Sequence, residues 1–378
     1  MRIVELKAYP ISVPVPEDRQ VSLGIGRMIK RDAVVVRVKT ESGLIGYGES
    51  HHGRCPGAVA HIVNTTLHDL VKGMDAADVV GIWARIYKMQ LGSHGMGAAC
   101  CLAMSGIDTA LWDIRGKAVG WPIYRLLGGS RRAIPAYAGG VSLGFQTPES
   151  LAEEAGEKVA SGFRAVKLRV GDSPERDIER VSAVREAFPA LSILTDANTG
   201  YTLDDARLLL PVFDSLRIGW LEEPFPAHDF RAYAAASVYG TTPLALGENT
   251  YTRFEFNRII EDGHVRILQP DIAKTGGITE GVRIAAAASA WKIPVHPHTS
   301  ITGLSMAASL HFLAAIENGG YYEADVSAFN PLRDRLVDAS FAIDSEGCIR
   351  PPEGPGLGVE VDEEFLMKHP VIEGASYV

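Results

Sequence analysis

The sequence predicts an α/β barrel of parallel strands preceded by a smaller α+β unit. Two observations carry that expectation. From Ile134 onward, eight strand-like runs alternate with seven helix-like runs. Such alternation is the pattern of βαβ units, and eight is the number of parallel strands that closes a barrel. Seven short apolar runs also end in residues able to do chemistry: AVKLR, SILTDAN, IGWLEEP, LALGEN, VRILQPD, IPVHPH and GYYEAD. These ends fall about 23 to 29 residues apart, the length of one strand plus one helix. A doubly wound open sheet is the rival, but open sheets rarely place chemistry at the end of nearly every strand.

Taken in chain order, residues 1 to about 14 alternate like a strand. Residues 15–31 are Gly-bearing, basic and aperiodic, and read as a flexible loop. DAVVVRVKTESGLIGYGE, at 32–49, reads as a hairpin around a Ser-Gly turn. SHHGRCPG, at 50–57, is a second loop. Helical periodicity then dominates to about residue 127, in HIVNTTLHDLVKG, VVGIWARIYKMQL and AACCLAMSGIDTALWDIRGKAVG. At Gly128-Gly129 the pattern changes to alternating strands and helices. Pro174 and Glu175 stand where Pro and acids favour a helix start. Gly162, Gly240, Gly263 and Gly319 punctuate helix ends. The last 50 or so residues contain no further βα unit and are expected to run back over the N-terminal part.

A chain of 378 residues, 46% hydrophobic and 22% charged, suits one large barrel plus a companion domain. Net charge is −9 and no basic tract exceeds three residues. Nucleic acid and anionic membrane are therefore not expected partners. No apolar run reaches the length of a membrane span, and the N-terminus lacks the pattern of a signal peptide. Cys55, Cys100, Cys101 and Cys348 match neither a metal knuckle nor a disulfide framework. They read as thiols in a reducing compartment, and a cytoplasmic location is expected.

The strand ends assemble a chemistry. Asp196, Glu222 and Glu248 close three consecutive strands, so their carboxylates converge at the barrel mouth. Three like charges there need a compensating cation, and an all-carboxylate set suits Mg²⁺. Asn198, two residues beyond Asp196, is placed to hydrogen-bond a ligand. Asp271 and His298 close neighbouring strands. An Asp that binds one imidazole nitrogen fixes the tautomer and raises the basicity of the other, which makes His298 a candidate general base. His296 is a rival, because strand alternation sends 296 and 298 to the same side. Lys167 and Arg169, at i and i+2, both face inward as cations. Glu323 closes the last strand and, if protonated, can donate to an enolate oxygen. Together these groups point to proton abstraction next to a carboxylate. The two loops carry Arg19, Arg27, Lys30, Arg31, His51, His52 and Arg54, suited to a polyhydroxylated anionic small molecule.

The chain resembles the enolase superfamily, and within it the mandelate racemase-like branch of acid-sugar dehydratases. The matching residues are KLR at 167–169, TDAN at 195–198, WLEEP at 220–224, GEN at 247–249, QPD and KTGGIT within 269–279, PVHPH at 294–298, YYE at 321–323, GYGE at 46–49 and SGIDTALWDIRGK at 105–117. The resemblance implies a modified TIM barrel, (β/α)7β, over 128–327. An α+β capping domain over 1–127 would be completed by 328–378. It further implies Mg²⁺ on Asp196, Glu222 and Glu248, an acid–base pair of His298 with Asp271, and Glu323 on the substrate carboxylate. The two loops would form the lid, with His51, His52, Arg27, Asn198 and His296 as candidate substrate contacts. A homo-oligomer, dimer to octamer, is expected.

One position departs from the family pattern. The second Lys of the Lys-x-Lys motif, a base on the opposite face of the substrate, is here Arg169. Arginine stays protonated and is a poor base. A racemase or epimerase needs a base on each face, whereas a dehydratase can use His298 alone. The expected activity is therefore Mg²⁺-dependent dehydration of an aldonate or aldarate to a 2-keto-3-deoxy acid, through a metal-stabilised enediolate. A 2-hydroxy-acid racemase or epimerase and a lactone cycloisomerase are the alternatives.

Overall fold

A computed structural model describes residues 1–93, 95–299 and 301–378. The chain begins with β1 (Ile3–Pro14), continues through a short ribbon of β2 (Ser22–Leu23) and β3 (Gly26–Arg27), and then forms β4 (Lys30–Thr40) and β5 (Ile45–Ser50). Strands β1, β4 and β5 make an antiparallel sheet in that order. Val34, Val35 and Val36 of β4 are all fully buried, so this strand is covered on both faces, which suits its unbroken β-branched run. The Ser-Gly turn joins β4 to β5, with Gly43 at φ +87°. Behind the sheet lies the helix Ala98–Val119, buried along most of its length. It approaches so closely that a Cβ on Gly48 would fall 2.2 Å from the carbonyl oxygen of Gly106. The glycines of GYGE are thus a packing requirement.

The segment 15–31 is more ordered than its composition implied. It holds a 3₁₀ turn at Glu17–Arg19, the β2–β3 ribbon and the start of β4. Its order comes from a distant part of the chain: Arg27 N donates to Val378 O at 2.8 Å, and Ile29 N to Ser376 O at 2.9 Å. A sequence pattern cannot show so remote a pairing.

The parallel strands are β6 (Ile134–Gly139), β7 (Ala165–Arg169), β8 (Ser192–Asp196), β9 (Leu221–Glu222), β10 (Leu244–Leu246), β11 (Ile267–Leu268) and β12 (Tyr322–Asp325). They run in the order β11-β10-β9-β8-β7-β6-β12. Parallel bridges Leu268–Val295 and Val295–Gly319 carry the path from β11 round towards β12. The expected strand at KIPVHPH is thereby reduced to one paired residue. The sheet is curled, as a modified (β/α)7β barrel requires.

Helices separate the strands where the periodicity places them. Pro148–Ala160 is capped by Thr147, Pro174–Ala187 by Ser173, and Leu203–Ser215 by a Thr202–Asp205 capping box. Inside the barrel, Tyr137, Ala165, Leu194, Trp220, Ala245 and Ile267 form a separate apolar cluster, with Tyr321 packed against it.

The C-terminal segment touches both parts of the molecule. Its β13 (Cys348–Ile349) pairs antiparallel with β6. Leu357 N donates to Asp113 Oδ1 at 2.9 Å, and isolated bridges join Ile11 to Pro370 and Met28 to Tyr377. Among the described residues, no helix is long and apolar enough to cross a membrane. Cys100 and Cys101 are buried free thiols, and burial raises both thiol pKa values.

Candidate active site

The strands and the turns after them bring Lys167, Arg169, Asp196, Glu222, Glu248, Asp271, His298 and Glu323 together at the carboxyl-end mouth of the barrel. Lys167 is at the centre and fully buried. Its Nζ lies 3.0 Å from Glu222 Oε1, 3.0 Å from Glu323 Oε1 and 3.4 Å from Asp196 Oδ2. Burial opposes its charge, but Glu222 and Glu323 prevail and hold its pKa well above the lysine range. Arg169 is two residues on and therefore on the same side. It binds Asp196 through Nη1 and the Gly140 carbonyl through Nη2. The carboxylates around it hold its pKa above the ordinary value against the effect of burial. Glu222 is also held by Gln269 Nε2 at 2.7 Å and Trp220 Nε1 at 3.3 Å.

His298 bridges two acids. Its Nδ1 is 2.7 Å from Asp271 Oδ2, and its Nε2 is 2.9 Å from Glu248 Oε2. With a carboxylate on each nitrogen both carry protons, and the ring is an imidazolium. Burial opposes this, yet Glu248, Glu323 and Asp271 hold its pKa well above the usual histidine value.

Glu323 stands differently from the expected protonated donor. Burial alone would raise its pKa, but Lys167, His298 and Arg169 outweigh that and bring it to about 2. It is a carboxylate here, accepting from Thr299 N and Gly140 N, each at 3.2 Å.

Among the described residues, no three acids, histidines or cysteines are gathered as a formed metal site. The oxygens of Asp196, Glu222 and Glu248 are engaged instead by Arg169, Lys167 and His298. The donor set nevertheless fits a hard divalent cation: the three acids are oxygen ligands on consecutive strands. Burial, together with Asp196, Glu323 and Glu248, pushes the Glu222 carboxyl up to about 7. A cation among these acids relieves that repulsion.

Above this floor is a cavity of about 330 Å³, within the range of small-molecule sites. Arg169, Asn198, Glu248, His298, His51 and His52 all line it. Asn198 N donates to Asp196 Oδ1 at 2.9 Å, so the residue reaches the cavity from a turn at φ +42°.

Two expected contacts lie elsewhere. Arg27 is exposed on β3 and does not line the cavity; Arg31, four residues on, does. His296 also stays out of it. Its ring sits 5.1 Å from that of Trp220 inside the barrel, and its Nδ1 accepts from Tyr321 N at 2.8 Å. Burial lowers its pKa to about 4. Residues 296 and 298 do share a side, but they occupy successive layers of the barrel.

The sequence reading missed other lining residues, chiefly Lys274, Glu223, Tyr251 and Tyr377. Glu223 follows Glu222 at φ +35°, which turns its side chain towards Asn249 Nδ2 at 2.7 Å. Burial and the adjacent Glu248 push its carboxyl up to about 8. Lys274 stands three residues past Asp271, on a turn where its N donates to Asp271 O at 2.9 Å. That Asp-x-x-Lys spacing was the available signal. Tyr377 arrives from the C-terminal segment and had no local signal.

Comparison with known proteins gives consistent matches along the chain. Residues 7–128 match the family described as "Mandelate racemase / muconate lactonizing enzyme, N-terminal domain", and residues 150–365 match "Enolase C-terminal domain-like". An arabinonate dehydratase of Saccharolobus solfataricus is 34% identical over 95% of this chain and 96% of its own. A D-galactarolactone cycloisomerase of Agrobacterium fabrum is 33% identical over 90% of this chain and 92% of its own. A crystal structure from Polaromonas sp. JS666, described as a member of the enolase superfamily, is 53% identical, covers 100% of both chains and superposes with a TM-score of 0.98. A racemase from Streptomyces coelicolor A3(2) with bound magnesium is 28% identical, covers 98% of this chain and 100% of its own, and has a TM-score of 0.88.

Proposed function

Because this chain belongs to the enolase superfamily, in its mandelate racemase-like branch, we propose that it is a Mg²⁺-dependent dehydratase of an aldonate or aldarate. The observation that carries dehydration over inversion is Arg169. Its guanidinium occupies the position of the second base and is tied to Asp196 and Gly140. With Glu248 assigned to the cation, His298 is the ring member that faces the cavity and is able to move a proton.

Asp196, Glu222 and Glu248 would hold Mg²⁺, which when bound supplies positive charge against the second negative charge that develops on the substrate carboxylate. Magnesium in the Streptomyces coelicolor relative supports this choice. Lys167 adds a fixed cation beside the same carboxylate, in a buried site where its charge is little screened. Glu323 fixes Lys167 and the Thr299 amide in place.

His298, relieved of Glu248, takes the proton from the α-carbon through Nε2 while Asp271 holds Nδ1. The electron pair left on carbon forms the enediolate. The β-carbon–oxygen bond then breaks, and His298 returns its proton to the departing hydroxyl. Water leaves, and the enol product tautomerises to a 2-keto-3-deoxy acid. Proton removal and hydroxyl departure occur on one face of the substrate.

The test is turnover of an acid-sugar panel with Mg²⁺, read as 2-keto acid. His298→Asn should lower kcat by roughly 10²–10⁴; an unchanged rate would remove His298 from the mechanism. Racemisation in D₂O without loss of water would overturn dehydration. Consumption of a lactone without 2-keto acid would favour the cycloisomerase reading, which the Agrobacterium fabrum relative keeps in view.

A further inference from the structure

Buried lysines and arginines in this protein are directly paired, with one exception among the described residues. Lys167 and Arg169 sit on carboxylates, Lys30 is 3.2 Å from Asp32, Arg31 is 3.8 Å from Asp325, Arg180 binds Asp177, and Arg185 binds backbone carbonyls. Lys274 is 5% exposed and lines the cavity. Among the described residues its Nζ has no hydrogen-bond or ion-pair partner, the nearest carboxylates acting on it from a distance. Burial works against its charge, while Glu248 and Asp271, acting through space, keep it protonated. An ammonium held largely within the protein, with its head open to the cavity and no protein acceptor on it, is poised to take one from a ligand. A ligand oxygen would supply the missing acceptor.

Two histidines near Lys274 present free donors to the same cavity. His51 Nδ1 accepts from Gly53 N at 3.0 Å, and His52 Nδ1 accepts from Arg54 N at 2.9 Å. A backbone N–H on Nδ1 puts the proton of a neutral ring on Nε2. Burial, aided by Lys274 beside both rings, lowers their pKa values and keeps them neutral. Both rings line the cavity, and neither Nε2 has a protein partner among the described residues. Lys274, His51 and His52 therefore offer the cavity an ammonium and two N–H groups.

We propose that Lys274 is a substrate-contacting residue whose ammonium, with the Nε2–H groups of His51 and His52, forms a donor-only subsite. Its ligand is an oxygen of the substrate beyond the two reacting carbons, either a chain hydroxyl or a distal carboxylate. The proposal deepens the acid-sugar reading and rests on it. It makes Lys274 a determinant of which acid is accepted.

The experiment uses full-length, Mg²⁺-loaded protein carrying His298→Asn, so that ligands bind without turnover. Binding of galactonate, arabinonate and galactarate is measured by calorimetry, with and without a second change at Lys274. For the tightest of the three, Lys274→Met should raise Kd at least tenfold, and Lys274→Arg should restore part of the loss. Mg²⁺ affinity should stay within about threefold or tighten, since a positive charge near the acids has been removed. Equal acid binding by Lys274→Met would overturn the proposal. So would a joint fall in acid affinity, Mg²⁺ affinity and thermal stability, which would mark a structural lysine. Turnover by the unmutated enzyme separates the two readings. If it processes these acids while Lys274→Met binds them unchanged, only the subsite falls. If it neither binds nor processes any of them, the acid-sugar reading falls and the subsite with it.

Discussion

At the residue scale, the ring is held together by proton and charge sharing, and two titrations follow. His298 is an imidazolium because Glu248 and Asp271 take both of its nitrogens. A cation on Glu248 removes one of those partners, so the raised His298 pKa must fall and a proton must leave. Glu222, pushed up to about 7, must also ionise fully to act as a ligand. Both changes have the same sign. Mg²⁺ binding should release protons near neutral pH and tighten as pH rises, which calorimetry in buffers of different ionisation enthalpy would measure.

The second titration is Glu49, on β5. Burial raises its carboxyl from 4.5 to about 8, although Thr302 donates to it. A folded-state pKa above the unfolded one contributes stability that is present below pH about 4.5 and lost as pH rises through about 8. Glu49→Gln should remove that slope. Melting temperatures of the variant and the parent, compared from pH 6 to 9, should diverge in the variant's favour at the alkaline end.

Much of the ring was legible residue by residue, because each member terminates an apolar run of strand length. The exceptions have physical causes. Lys274 lies on the turn after its strand, where period-two reasoning no longer applies. His296 and His298 share a direction, and only the depth of the barrel separates them. Arg27 and Arg31 look alike in a basic segment, and only the start of β4 at Lys30 turns Arg31 inward.

At the scale of elements, the contact between β5 and the helix Ala98–Val119 is the tightest fit described above. Gly48→Ala would set a Cβ against a helix carbonyl at 2.2 Å. Neither backbone can yield without disturbing the sheet, so a loss of about 1–3 kcal/mol is expected, read from the urea midpoint. Helix positions were legible because capping residues and periodicity agree, as at Thr202 and Asp205. The strand around Val295 was overestimated. Its apolar run is right for a strand, but flanking prolines at 294 and 297 withhold N–H donors, and pairing survives only at Val295.

At the scale of the whole molecule, the cavity is assembled from parts far apart in sequence: the barrel floor, the 51–54 turn, the β2–β3 ribbon and Tyr377. The ribbon depends on the last residues. Deleting residues 371–378 should speed hydrogen exchange at Arg27 and Ile29, whose amides donate to Val378 and Ser376, and leave β7 and β8 protected. Equal protection of the ribbon in both proteins would show that it stands without the tail. No pattern within residues 15–31 announces this dependence, because the pairing partner lies some 350 residues away.

The seating of Val378 also has a bearing at the bench. Its carbonyl is bonded to the Arg27 amide and packs on Gly26, at the rim of the substrate chamber. An affinity tag or fluorescent fusion appended there would emerge beside the ribbon and pry at it. Kinetic constants from such a preparation would describe an enzyme with a disturbed ribbon, so they need comparison with the same chain carrying no addition at Val378.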